Sequence, residues 1–347
     1  MSNGRRGDRA PSGSVTSAYF ERIRQKLMLL ILLVAATVLV ALYAVAQGAY
    51  DISVTEVLRV LTGSADPDAG VVVTHIRLPR VMAALICGWG LSFSGLSLQS
   101  LLRNPLGSPS TLGISQGAAF GAAAAIVVFG AEVFSVTAFA FAGAMAATLV
   151  ALVLSALKRL SAEAIILAGV ALSSLFVSAT ILIQYLATET ELAMVVFWTF
   201  GDVARSNWPE IGVMAGVVSL ASLYLFTLRW DLNALASGEE TAKGLGVSVE
   251  RIRLTGMMAA AVVSATATAY HGVIAFVGLI APHIARRLVG ENHSLVIPFS
   301  GVLGALLLLT ADTLGRALIG SGALPVGVIT SFLGAPMFLY LLVRGYR

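Results

Sequence analysis

Apolar runs of some twenty residues recur along this chain, separated by shorter stretches that carry most of its charge. Leu27 to Gln47 is 21 residues without a charged side chain, and at about 1.5 Å per residue such a helix crosses the roughly 30 Å hydrocarbon core of a bilayer. Further runs predict helices at about 81–102, 111–130, 133–157, 164–187, 208–228, 252–270, 273–287, 295–317 and 325–343, ten with the first, 273–287 being short. The pattern is clearest from Arg77 to Gly121, where two small-residue-rich spans flank the break RNPLGSP. Glycine-laden apolar helices joined by a proline-kinked polar turn suit closely packed membrane helices and have little use in a soluble domain. Gly113, Gly117 and Gly121, and less regularly Gly88, Gly90 and Gly95, are read as packing positions without chemistry. Residues 1–26, rich in Ser, Gly and Arg, read as a polar tail, unstructured to about Tyr19, and no small-residue cleavage site closes the first span as a signal peptide would require.

Composition agrees with this pattern. Hydrophobic residues are 58% of the 347 and charged residues 12%, with a mean hydropathy of +0.90, whereas a soluble domain has about 25% charged residues. The soluble classes are excluded. An even number of spans puts both termini on one side, and basic residues gather in cytoplasmic loops. With cytoplasmic termini, only Arg59, Arg77, Arg80, Arg205 and Arg316 of the 22 Lys and Arg lie outside, which leaves 17 inside. An odd count would scramble that split. The net charge of +4 then follows from topology, and a nucleic-acid partner has little to support it. The outer segments are acidic, with Asp51, Glu56, Asp66 and Asp68 in one and Glu189, Glu191, Asp202 and Glu210 in another, so the outer arginines are conspicuous. Cys87, the single cysteine, lies within a span and reads as a small core residue.

Nucleotide and metal motifs are missing: there is no GxxxxGK[ST], no GxGxxG after a strand, no HExxH and no Cys/His group at zinc spacing. His75, His271, His283 and His293 fall at or near span ends and read as interfacial or capping residues. An ion-gradient-driven secondary transporter would want ionisable pairs at mid-membrane, and an intramembrane enzyme a Ser/His or paired Asp there. Neither is evident in the spans, so the energy for any transport comes from elsewhere.

Four blocks together resemble the FecCD family of bacterial importer permeases, the membrane subunits of vitamin B12, haem and ferric siderophore ABC importers. They are RLPR with the small-residue helix after it and RNPLGSPSTLGISQGAAFGA; LSAEAIILAGVAL at 160–172; SGEETAKGLGV at 237–247; and GVIAFVGLIAPHIARRLVG at 272–290 with ADTLGRALIGSGALPVGVITSFLGAPMFLYLLV at 311–343. The resemblance covers essentially everything from Leu27 onward. The polar tail departs from it, as does Tyr270-His271, where the family more often has small residues and Pro.

The resemblance implies an all-α, polytopic membrane protein with about ten transmembrane helices, the type II ABC importer permease fold, over residues 27–347. It implies a complex of two permease copies, two cytoplasmic ATPase subunits holding ATP and Mg, and an extracytoplasmic substrate-binding protein, set among lipid in the cytoplasmic (inner) membrane. The chain itself would be no catalyst and would hold no cofactor. Its substrate would be an iron chelate, a ferric siderophore or haem, with cobalamin as the alternative.

Three groups of residues carry the expected roles. The segment 229–253 is the longest cytoplasmic connection, and a short amphipathic helix within Ser237 to Val247 would seat on the ATPase through Gly238, Glu239, Glu240, Ala242, Lys243, Gly244, Leu245 and Gly246; a solvated loop is the competing reading. Arg77, Arg80 and Arg316 are expected outside, Arg77 and Arg80 at the start of a helix, where guanidinium groups suit a binding protein's glutamates. Membrane anchoring or pairing with Asp312 is the alternative. Asn104 and Leu106, with Ser161, Ala162 and Glu163, match positions that constrict the family's pathway near the cytoplasm. Asn-Pro also explains a plain helix stop, since Pro disfavours a helical residue before it.

Overall fold

The structure is a computed structural model describing residues 12–48, 50, 52–63, 67–319 and 324–344, and among these residues it contains no strand. Its helices are α1 (Ser12–Ala46), α2 (Val54–Leu61), α3 (Pro67–Val71), α4 (Leu78–Leu101), α5 (Ile114–Val128), α6 (Val133–Ala156), α7 (Ala162–Leu186), α8 (Glu189–Thr199), α9 (Trp208–Thr227), α10 (Arg229–Ala236), α11 (Glu239–Gly244), α12 (Val249–His271), α13 (Val277–Val289), α14 (His293–Ile319) and α15 (Val326–Arg344). Each of the ten apolar runs is a helix. Among the described residues, seven helices are long and apolar enough to cross a membrane. The protein is a multi-pass membrane protein.

α4 sits at the centre, packed against α14, α12, α13 and α9, while α5, α6 and α7 form a second group joined to the first through α12. Apolar side chains gain nothing by leaving lipid for protein, so contact must come from close backbone approach and interhelical hydrogen bonds. α4 supplies both. A Cβ on Gly95 would stand 1.8 Å from Gly278 O of α13, and Ser92 Oγ donates to Ser300 O of α14 at 2.7 Å. Ser94 Oγ reaches Ala260 O of α12 at 2.9 Å. α1 and α7 are the opposite case, with 11% and 22% of their spans buried, so their apolar faces look outward.

α13 has 13 residues, about 20 Å of helix, too short to cross alone. Gly272 to Phe276, non-helical and with Phe276 in a left-handed conformation, joins it to α12. Such backbone is tolerated at membrane depth only when protein covers it. Val273 and Ile274 are half-buried or buried, and the Gly201 and Gly327 backbones close on Val273 O so tightly that no Cβ would fit at either glycine.

Three features depart from the sequence reading. α1 begins at Ser12, inside the stretch expected to be an unstructured tail; residues 1–11 lie outside the described residues. No proline interrupts 12–46, so nothing stops the apolar helix from propagating backwards once it has nucleated. Arg77 and Arg80 stand at the start of α4 but not at the start of the helical run. One continuous helix runs Pro67–Leu101, with a π-helical turn at Val72–Arg77 beside Pro79, whose missing N–H disturbs the ladder there. Finally α8, too short to span, follows a Thr188/Glu191 capping box in a segment read only as an acidic outer loop.

The Gly95 contact is testable against a glycine in open space. Gly95→Ala should abolish recovery of folded protein or lower its unfolding temperature in detergent sharply, whereas Gly212→Ala, with nothing within 4 Å of the new Cβ, should leave it unchanged or raise it.

Candidate functional site

The expected coupling segment folds as two short helices, α10 and α11. Gly238, at φ +126, makes the turn between them, and α11 covers Glu239 to Gly244. Ala242 is its buried residue; Leu245, just past its end, is 70% exposed, and Gly244 and Gly246 face open space. One side of the segment is therefore attached and the other presented.

Attachment runs through a residue that the sequence reading did not single out. Arg253, in the first turns of α12, is 1% exposed, and its three nitrogens reach three different segments. Nε donates to Leu101 O at 3.2 Å, Nη1 to Leu160 O at 2.7 Å, and Nη2 to Glu239 Oε2 at 2.9 Å. A planar guanidinium is suited to this, presenting several donors in fixed directions. The hydrogen bond from Arg253 holds the Glu239 carboxyl below its ordinary range against the opposing effect of burial, and Lys243 at 3.1 Å adds to it. The hint in the sequence was an arginine at the edge of an apolar span, in RIRL, two residues past Arg251.

Leu101 and Leu160 adjoin the two expected gate turns. In the first, Asn104 Oδ1 accepts from Leu106 N at 2.9 Å, an Asx turn that continues from α4, with Leu106 41% exposed. In the second, Ser161 caps α7, accepting from Ala164 N at 3.3 Å, with Ala162 and Glu163 in the helix's first turn. Arg103 (φ 48), Arg159 (φ 53) and Leu160 (φ 53) are left-handed non-glycine residues, each costing about 1–2 kcal/mol. Both turns thus store strain beside the same guanidinium.

Next to the first turn lies a basic cavity of about 420 Å³ lined by Gln99, Arg103, Asn104, Arg286, Arg287 and His293 among others. A polar chain crosses its wall. Asn233 of α10 accepts from His293 N at 2.9 Å and lies 2.8 Å from its Nδ1, His293 Nε2 is 2.8 Å from Ser100 Oγ, and Arg286 bonds both Gln99 and Ser100. Lys26 donates to Val289 O at 2.7 Å on the same end. Lys26, Arg103, Lys243, Arg253 and Arg286 therefore gather at one end of the bundle.

Arg77, Arg80 and Arg316 meet at the other end, but in a closed network and not as free rim groups. Arg77 is 5% exposed and donates to Val45 O, Ala46 O and Tyr50 O. Arg80 grips fully buried Asp312 through Nε and Nη2 at 2.8–3.1 Å. Arg316 lies 3.3 Å from the same carboxylate and donates to Ala44 O and Gln47 O. The helical run through α4 starts early and carries Arg77 against the end of α1 and Arg80 against α14. The pairing with Asp312, open as an alternative in the sequence, is present. Arg316 Nη2 finds no hydrogen-bond partner among the described residues.

Residues 30–344 match the model of the FecCD transport family. The chain belongs to that family. A Methanocaldococcus jannaschii protein named as an ABC transporter permease is 47% identical, over 93% of this chain and 96% of its own length. The Fe(3+)-citrate import system permease YfmE of Bacillus subtilis is 35% identical (92% and 96%), and the hemin transport system permease HmuU of Yersinia pestis 34% (93% and 97%). A solved structure of the inward-facing conformation, assigned to the metal-chelate type of ABC transporter, superposes with a TM-score of 0.83 at 33% identity, over 92% of this chain and 99% of that one. This FecCD member thus has the all-α permease fold of an ABC transporter.

Two measurements probe these networks. Asp312→Asn leaves two guanidinium groups without their carboxylate and should lower stability in detergent by about 3 kcal/mol, read as a fall in unfolding temperature. The Glu239 attachment of α11 is fully present above the carboxyl's ordinary value of 4.5 and is lost as pH falls through its lowered value. A spin label on Leu245→Cys should accordingly gain mobility only in acid below that ordinary value, and Glu239→Gln should give the mobile spectrum at neutral pH.

Proposed function

We propose that this chain is the membrane-spanning permease subunit of an ATP-driven importer for an iron chelate. It would act as a pair of copies with two cytoplasmic ATPase subunits, which hold ATP and Mg, and an extracytoplasmic binding protein, in the cytoplasmic membrane with both termini inside. The observation that carries the reading is α11, a six-residue helix attached on one side and presented on the other, on the end where the loop cations gather. Such a tip can seat in a partner and be moved by it. The gate role of Asn104, Leu106, Ser161, Ala162 and Glu163 is supported by their place in two strained turns on that end.

Arg77, Arg80 and Arg316 would serve a binding protein by steering it more than by direct contact. Arg80 and Arg316 share the Asp312 carboxylate while Arg77 is held by backbone carbonyls, so this cluster is locally positive among otherwise acidic segments although its donors are engaged inside. That charge favours acidic partners and would speed their association more than it strengthens the final contact.

The iron chelate is argued from relatives whose names specify Fe(3+)-citrate, hemin and ferric enterobactin import. Others are named for cobalamin and molybdate import, at 38% and 36% identity, so those substrates are the rivals.

The test is reconstitution of the complex in liposomes with binding proteins loaded with ferric citrate, haemin, cobalamin or molybdate. ATP-dependent uptake of ferric citrate or haemin, and capture of the loaded binding protein that slows as salt is raised, is the expected result. Uptake that needs no ATP and collapses with an ionophore would sink the reading. On a Cys87→Ser background, a cysteine at Asn207 should be labelled from outside and one at Lys243 only after permeabilisation.

A further inference from the structure

Arg253 does more than close a helix end. Its contacts fall on the coupling helix α11, on the last turn of α4 before the Asn104 turn, and on Leu160 in the turn before α7. Resting on the function proposed above, we propose that Arg253 is the positioning residue that carries movement of α11 to both inner turns at once. Three features of the site meet at this guanidinium.

The first is rigidity. The guanidinium is planar, so displacing Glu239 cannot bend the fork; it must rotate or translate the group as a unit, disturbing the other two bonds. The second is burial. At 1% exposure the side chain has no water to replace a lost partner, so a broken bond leaves a buried donor or carbonyl unsatisfied. The link is stiff in consequence. The other ion pair from α11 into the bundle, Lys243 to Glu250 at 3.4 Å, joins side chains 40% and 48% exposed, and such pairs contribute little. Glu239 to Arg253 is the firm connection.

The third observation is the state of the turns. Leu160, whose carbonyl Arg253 holds, is left-handed, as are Arg159 before it and Arg103 in the other turn. Conformations of this kind persist only while their surroundings hold them. A shared donor that lets go of both turns together would allow them to relax together, which a gate needs. Packing adds to the coupling at this level, because Gly256 of α12 leaves room for the Leu101 side chain, where a Cβ would stand 2.7 Å away.

A purely structural staple would show the same contacts, so the test must read motion. The full transporter, with its ATPase and binding protein, is placed in nanodiscs with spin labels at Leu106→Cys and Leu157→Cys on the Cys87→Ser background; both label sites are exposed. Distances between the two turns are measured with ADP and with ATP plus vanadate. In the otherwise unaltered protein the distance should shift with nucleotide. Glu239→Gln removes the charge at the α11 end only, and in the assembled complex the shifted population should fall about tenfold, the factor for one charge-assisted hydrogen bond. Arg253→Lys keeps the charge but not the fork, and should behave alike. If the lysine variant fails to assemble, Glu239→Gln decides, since it leaves the two interior bonds in place. A nucleotide-driven shift in Glu239→Gln equal to that of the unaltered protein overturns the relay and leaves the proposed function standing. No shift in the unaltered protein with nucleotide bound overturns both.

Discussion

Everything in this fold depends on helix backbones coming close enough to touch. In a bilayer the burial of leucine against leucine supplies little drive, because lipid is as apolar as the protein interior. Gly95 against Gly278, and Gly117 against Gly143, bring main chains within van der Waals reach, where dispersion and short hydroxyl bonds such as Ser92 to Ser300 hold them. That close packing makes α4 and α12 a stiff centre. It also leaves α1 and α7 free to keep their large apolar side chains outward, toward lipid or another chain.

Stiffness at the centre is what gives the two polar ends their character. Charged groups are costly inside a bundle unless paired, and here they are drawn to its ends, where backbone carbonyls released by helix termini are in need of donors. Arg77 takes Val45 and Ala46 at the end of α1; Arg253 takes Leu101 at the end of α4. The two ends differ in what they leave available. At one end Arg80, Arg316 and Asp312 knit α4 and α14 together with the end of α1. At the opposite end the arginine network terminates on α11, a small helix whose other side is open. One end is closed on itself and the other finishes in a helix with an open side.

The sequence by itself determined the spans, the side on which most cations gather and the family, because each is carried by local signals: runs of apolar residues with a length set by bilayer thickness, charge in the connections, and four blocks in order. It also placed α11 and the turns after α4 and before α7, since Gly238, Asn104-Pro105 and Ser161 act on the backbone within a few residues. What it could not determine was which partner a long side chain selects. Docking and pairing with Asp312 both stayed open for Arg77, Arg80 and Arg316, because nothing in one dimension says that a continuous helix begins at Pro67 and brings Arg80 to Asp312, 232 positions away, and Arg77 to the carbonyls that end α1. Arg253 went unread for the same reason. Its partners lie 14, 93 and 152 positions away, and only the close packing of α12 on α4 makes them neighbours. An arginine has several donors and a long reach, so tertiary proximity, and not local pattern, decides what it holds.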